Sequence, residues 1–169
     1  MLTEFKKYIE KHNLIEKGDK ILLALSGGVD SMVLAKLLLA VSRQLSANSQ
    51  LFFAHCNFHL RGEDSNRDER FVTEFAKENG IELFVKHFDT EAYAKEYSLS
   101  IEMAARELRY SWFEELKNIH NINKVALAHH GDDQIETFFI NFLRGSGIKG
   151  LKGMKAQNGF YIRPLLWSN

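Results

Sequence analysis

The sequence predicts an α/β fold, a doubly wound, mainly parallel sheet flanked by helices. Four short apolar runs carry the prediction: residues 20–25 (KILLAL), 51–56 (LFFAHC), 81–87 (IELFVKH) and 124–128 (KVALA). Their centres are apolar on successive residues, as strands covered on both faces are. The stretches between them place apolar residues at helical spacing. A Gly-Gly turn after the first run leads directly into a helix, the arrangement that binds anions at strand ends in such folds.

In chain order, residues 2–12 read as a short amphipathic helix on Leu2, Phe5 and Ile9. The strand at 20–25 leads into a helix over 30–45, and the strand at 51–56 into a polar loop over 57–64. Ser65 is expected to cap a helix over 65–79 that Gly80 closes. The strand at 81–87 follows. Thr90 should cap a short helix and Ser100 a longer one to 120. In the longer helix Ile101, Ala105, Leu108, Trp112, Leu116 and Ile119 form the expected core stripe. After the strand at 124–128, a helix is expected over 132–144, then a Gly-rich tail with a strand over 160–163.

At 169 residues, with 45% hydrophobic and 26% charged side chains, the chain suits one domain with a real core. Its formal net charge is zero, so nucleic-acid contact would need a local patch or another domain. Cys56 is the only cysteine, which rules out an internal disulfide and fits a reducing compartment. No stretch reads as a signal peptide or a membrane span, so no membrane partner is expected.

Ser26-Gly27-Gly28-Val29-Asp30-Ser31 has the chemistry of a phosphate loop. Its glycines permit close backbone approach and the helix start offers unpaired N–H groups. Asp30 would repel phosphate unless it holds Mg²⁺. The loop lacks the Lys of a GxxxxGK[ST] motif.

A second polar cluster, His129-His130-Gly131-Asp132-Asp133, follows the fourth strand. On the helix after it, Asp133 and Glu136 share a face, a site for an ammonium or a metal. A zinc site on His55, Cys56 and His59 is weakly supported, because no cysteine pair accompanies it. On the long helix, Glu102 and Arg106 are spaced as an ion pair, whereas Arg109 could reach a phosphate or a base. Arg61, Arg144, Lys149 and Lys152 lie in polar loops suited to RNA phosphates.

The blocks SGGVDS, HCNFHLRGEDSNRDE, EMAARELRY, LAHHGDDQIETFFINFLRGSGIKGLKGM and IRPLL occur in this order over residues 21–166. Together they resemble the tRNA(Ile)-lysidine synthetases, members of the PP-loop ATP pyrophosphatases with an adenine nucleotide alpha-hydrolase-like fold. The resemblance implies a cytoplasmic ligase with ATP as co-substrate, Mg²⁺, free L-lysine and an isoleucine tRNA with a CAU anticodon. Lysine would join C2 of the wobble cytidine through an adenylated intermediate, releasing AMP and pyrophosphate.

By the same resemblance, Ser26, Gly27, Gly28, Val29, Asp30 and Ser31 hold the nucleotide, with Asp30 on Mg²⁺. Asp133 and Glu136 recognise lysine, while Asp30, Arg109, His129 and Asp133 serve catalysis. Freeing a lysine amine at neutral pH costs about 4–5 kcal/mol; His129, His130 and Asp133 are all open as its base. The family usually continues into tRNA-gripping domains absent from residues 1–169, so the chain reads as the catalytic domain alone. The resemblance leaves the oligomeric state open, a homodimer included. The alternatives are a tRNA-thiolating PP-loop enzyme, which usually needs more cysteines, and a nucleotide-binding module without chemistry.

Overall fold

A computed structural model describes residues 1–42, 50–130 and 154–168. Its helices are α1 (Leu2–Lys11), α2 (Val29–Ser42), α3 (Glu63–Asn79), α4 (Thr90–Glu96) and α5 (Ile101–His120). Its strands are β1 (Lys20–Ala24), β2 (Gln50–Asn57), β3 (Glu82–His87), β4 (Lys124–Ala126), β5 (Gln157–Asn158) and β6 (Tyr161–Ile162). They form a six-stranded sheet in the order β3-β2-β1-β4-β6-β5. All neighbours are parallel except β5 and β6, which form an antiparallel hairpin.

The period of the strands divides the core in two. From β1 onward, Ile21, Leu23 and Leu25 enter one cluster with Phe5, Ile9, Leu34, Leu38, Phe53 and Val72, under α1, α2 and α3. Leu22 enters the other, with Phe88, Trp112, Phe113, Leu116 and Val125, under α5. Across the sheet Leu22 stands opposite Phe52 and Val125. The mainly parallel, doubly covered sheet is the one the apolar runs predict.

β2 and β4 leave β1 on opposite sides, so the chain reverses its direction of travel across the sheet between β1 and β4. Loops following these two strands diverge and open a crevice at their carboxyl ends. At the other end, the Asn123 amide donates to Asp19 Oδ1 at 2.5 Å while Lys20 N–H donates to Asn123 Oδ1 at 2.7 Å, clasping the entries of β1 and β4.

Several boundaries differ from expectation. α3 starts at Glu63, not Ser65, because Gly62 adopts φ +51 and turns the chain into the helix without a side-chain cap. The Ser65 hydroxyl instead accepts the Arg61 N–H at 3.2 Å. α4 is capped by Asp89, which accepts from Ala92 N at 3.0 Å, while Thr90 Oγ1 donates to the Phe58 carbonyl at 3.1 Å. Ser100 caps α5 as expected, accepting from Met103 N at 3.2 Å.

The stripe on α5 is shorter than its period suggests. Ala104, Ala105, Trp112, Phe113 and Leu116 are buried, but Ile101 is 39% and Ile119 63% exposed. A helix of this length spans about 30 Å and overhangs the short strands beneath it. The expected Glu102–Arg106 ion pair is not formed among the described residues; the Arg106 guanidinium lies 4.9 Å from the Tyr110 ring centroid. β4 ends at Ala126, although Leu127 N still donates to Ile162 O at 2.9 Å. The strand expected over 160–163 is half of a hairpin. The helix expected over 132–144 lies outside the described residues.

Candidate active site

The loop between β1 and α2 folds on its own hydroxyls. Ser31 is buried, and its Oγ donates to the Gly28 carbonyl at 2.8 Å while accepting from Ser26 N at 3.2 Å and Ser26 Oγ at 3.0 Å. Gly28 N–H donates to Ser26 Oγ at 3.2 Å. Ser31 is therefore an internal strut, and the outward-facing groups of the loop belong to Ser26, Gly28, Val29 and Asp30, all exposed. Gly27 takes φ +88, and a Cβ built there would stand 3.2 Å from Cβ of Asp68 on α3. Asp68 in turn holds the Arg61 guanidinium at 2.6 Å.

Across the crevice, the chain leaving β4 presents Ala128, His129 and His130. His130 Nε2 lies 3.7 Å from Asp30 Oδ2. His129 Nδ1 accepts a hydrogen bond from Arg163 Nε at 3.2 Å, and Arg163 Nη1 donates to the Lys155 carbonyl at 3.1 Å. Desolvation is the main influence lowering the Arg163 pKa, yet a guanidinium keeps its charge in proteins.

These walls enclose a cleft of about 300 Å³ lined by Ser26, Gly28, Asp30, Ser31, Arg109, Phe113, His129 and His130, with Cys56 and Phe58 among its other residues. An adjoining cleft of about 300 Å³ shares Ser26, Cys56, Phe58 and Arg109 and adds Arg61 and Asp68. The Arg109 guanidinium lies 5.3 Å from the Phe58 ring centroid, a cation–π contact that holds the charge at the junction of the two. A loop with backbone N–H groups, a helix start and an arginine opposite can bind a polyphosphate. The Asp30 carboxylate is exposed and lines the cleft, a hard oxygen donor that could hold Mg²⁺, which would offset phosphate charge there.

The structure thus brings Ser26, Gly28, Asp30, Ser31, Arg109 and His129 to one cleft, with Gly27 and Val29 in the loop that forms its wall and Arg61 at its neighbour. Asp133, Glu136, Arg144, Lys149 and Lys152 lie outside the described residues. His55, named above as a candidate zinc ligand, is buried with Nδ1 donating to the Leu25 carbonyl at 2.8 Å. His59 Nε2 lies 2.9 Å from His87 Nδ1.

Phe58, Asp68 and Arg163 were not singled out by sequence reasoning. Arg163 stands in the IRPLL block, which was the available signal. Burial pushes the Cys56 thiol up to about 12, against the opposing influence of the Arg109 and Lys86 charges.

Comparison with known proteins places this geometry in context. A family described as a PP-loop domain matches residues 1–169. The tRNA(Ile)-lysidine synthase of Bacteroides thetaiotaomicron is 51% identical over 163 residues, covering 96% of this chain and 37% of that protein. Its counterpart in Parabacteroides distasonis is 46% identical, over 98% of this chain and 36% of that protein. The chain therefore spans little more than a third of the length of these relatives. Among solved structures, the U34-tRNA thiolase NcsA from Methanococcus maripaludis, with its [4Fe-4S] cluster, superposes with TM-score 0.76 at 22% identity. That match covers 96% of this chain and 58% of the thiolase, and it is a likeness of fold.

Proposed function

This chain belongs to the PP-loop domain family, and from that premise we propose that it is the ATP-binding catalytic domain of an enzyme that makes lysidine in isoleucine tRNA. The observation that carries the proposal is the cleft in which the Ser26–Ser31 loop faces Arg109 and His129. Sequence likeness to the two lysidine synthases supports the choice of reaction.

In this reading, the loop N–H groups and the start of α2 hold the phosphates, with Asp30 on Mg²⁺. The wobble cytidine's C2 oxygen attacks the α-phosphorus of ATP, and pyrophosphate leaves with the electrons of the broken P–O bond. Arg109 offsets negative charge growing at the α-phosphate. Free lysine, held through its ammonium and aligned by Asp133 and Glu136, loses a proton. Its Nζ then bonds to C2 as AMP departs with the former C2 oxygen. Arg61, Arg144, Lys149 and Lys152 contact the tRNA with the CAU anticodon. Further domains of a longer, cytoplasmic enzyme supply most of the grip on RNA. Among the described residues no helix is long and apolar enough to cross a membrane.

The test is exchange of labelled pyrophosphate into ATP by the full-length enzyme. Exchange is expected with isoleucine tRNA bearing CAU and not with other tRNAs, and Asp30→Ala should reduce it by roughly a hundredfold or more. Exchange without tRNA would assign the cleft to a small-molecule synthetase. No exchange with any tRNA would leave only nucleotide binding.

The thiolation alternative meets a physical obstacle at Cys56, the chain's only cysteine. A thiol with pKa pushed up to about 12 is almost wholly protonated at pH 8, whereas sulfur transfer needs the thiolate. At that pH, a disulfide reagent should modify native Cys56 at least about tenfold more slowly than a free cysteine thiol, because the loss of thiolate outweighs its greater intrinsic nucleophilicity. It should react readily after denaturation. Fast native modification would reopen the thiolation reading.

A further inference from the structure

Arginine has no hydrogen-bond acceptor, so a contact between a guanidinium and an imidazole nitrogen has one possible direction. Arg163 Nε donates and His129 Nδ1 accepts, at 3.2 Å. The Nδ1 of His129 therefore carries no proton, and the neutral ring must carry its proton on Nε2. Adding a proton at Nδ1 would bring two cationic N–H groups face to face. Arg163 is also fixed in place. Its backbone N–H donates to Ala156 O at 2.8 Å, its Nη1 donates to Lys155 O at 3.1 Å, and it immediately follows β6 beside β4.

Resting on the lysidine-forming reading of the cleft, we propose that Arg163 is a positioning residue that locks His129 as a neutral Nε2–H tautomer, making His129 a hydrogen-bond donor to the reacting groups and not the base that frees the lysine amine. This assignment narrows a choice that the sequence leaves open among His129, His130 and Asp133. The donor acts where negative charge develops, on the α-phosphate during attack by the cytidine oxygen or on AMP as it leaves. Proton removal from lysine falls to another group. Histidine oriented by a partner on its other nitrogen is a recurrent device. A cationic partner reverses the usual outcome, because a carboxylate favours the imidazolium and a guanidinium opposes it.

The first test needs neither ATP nor tRNA. Long-range proton–nitrogen NMR spectra of this chain with ¹⁵N-labelled histidine, the His129 signals assigned by their loss in His129→Gln, report the tautomer directly. The expected pattern at pH 7 is an unprotonated Nδ1 and a protonated Nε2. Arg163→Met should turn this into a mixture of tautomers, and Arg163→Lys, which keeps a cationic donor, should restore it in part. A role for Arg163 in stability alone would change the melting temperature and leave the tautomer unmoved. An Nδ1–H or doubly protonated His129 in the wild type overturns the proposal, as does an unchanged tautomer in Arg163→Met.

The second test concerns the chemistry and uses the full-length enzyme. Glutamine retains an N–H near the Nε2 position and cannot act as a base. His129→Gln should keep lysidine formation within about tenfold of wild type, while His129→Ala should lose roughly a hundred- to a thousandfold. Equal, severe loss in both variants would overturn the donor role. Failure of the pyrophosphate exchange described above would sink the lysidine reading while leaving the tautomer measurement intact, so the two failures are distinguishable.

Discussion

Gly27→Val should weaken ATP binding by about a hundredfold or more. Gly27 sits at φ +88, where a β-branched side chain is strained, and its new Cβ would meet the Asp68 side chain at 3.2 Å. Asp68 has little room to retreat, because the new Cβ also lies 3.6 Å from its Cα, within α3. The loop must shift instead, displacing the start of α2 that follows it, whose unpaired N–H groups would meet the anion. Strain of about 1–3 kcal/mol and a charge-assisted hydrogen bond of about 1.5–3 kcal/mol combine to that loss. Calorimetry with Mg-ATP reads it, and circular dichroism verifies the fold. Affinity within about threefold of wild type would remove the cradle from this loop.

The largest expected effect on stability is at Phe113. Its ring is 1% exposed and packs against Tyr110 and Trp112 while lining the cleft floor. Phe113→Ala should cost about 3–5 kcal/mol, lowering the melting temperature by roughly 6–20 °C for a domain of this size. Ile119→Ala on the same helix should change stability by less than about 0.5 kcal/mol, since that side chain is 63% exposed. A comparable loss at both positions would contradict the observed shortening of the buried stripe.

Ile119 also shows where sequence reasoning stops. Its spacing from Trp112 and Leu116 is right for a buried face, but burial requires a sheet beneath it, and periodicity does not report where strands end. Local chemistry was easier to read. Ser100 directly precedes the apolar Ile101 and is the cap its position predicts, whereas Asp89 and Thr90 are adjacent cap-forming residues, and Asp89 caps α4 in place of the expected Thr90. Ser65 misled because Gly62 starts α3 through backbone conformation alone.

The turn between β1 and α2 was legible because its glycines and the hydroxyls that fold it lie within a single run from Ser26 to Ser31. Arg163 was not, because its partner His129 is separated from it by 34 positions and they meet only through strand pairing. Asp68 was missed for the same reason. It stands on α3, and nothing in its neighbours' sequence points to Gly27.

The order of the strands has a consequence for synthesis on the ribosome. The turn between β1 and α2 emerges early, but the wall that faces it follows β4, and the arginine bracing that wall follows β6. A nascent chain that has released only β1, β2 and β3 can shape the turn without its counterpart. A cleft walled on both sides must await insertion of β6 beside β4, so Arg163 and the strand before it govern when that wall is braced.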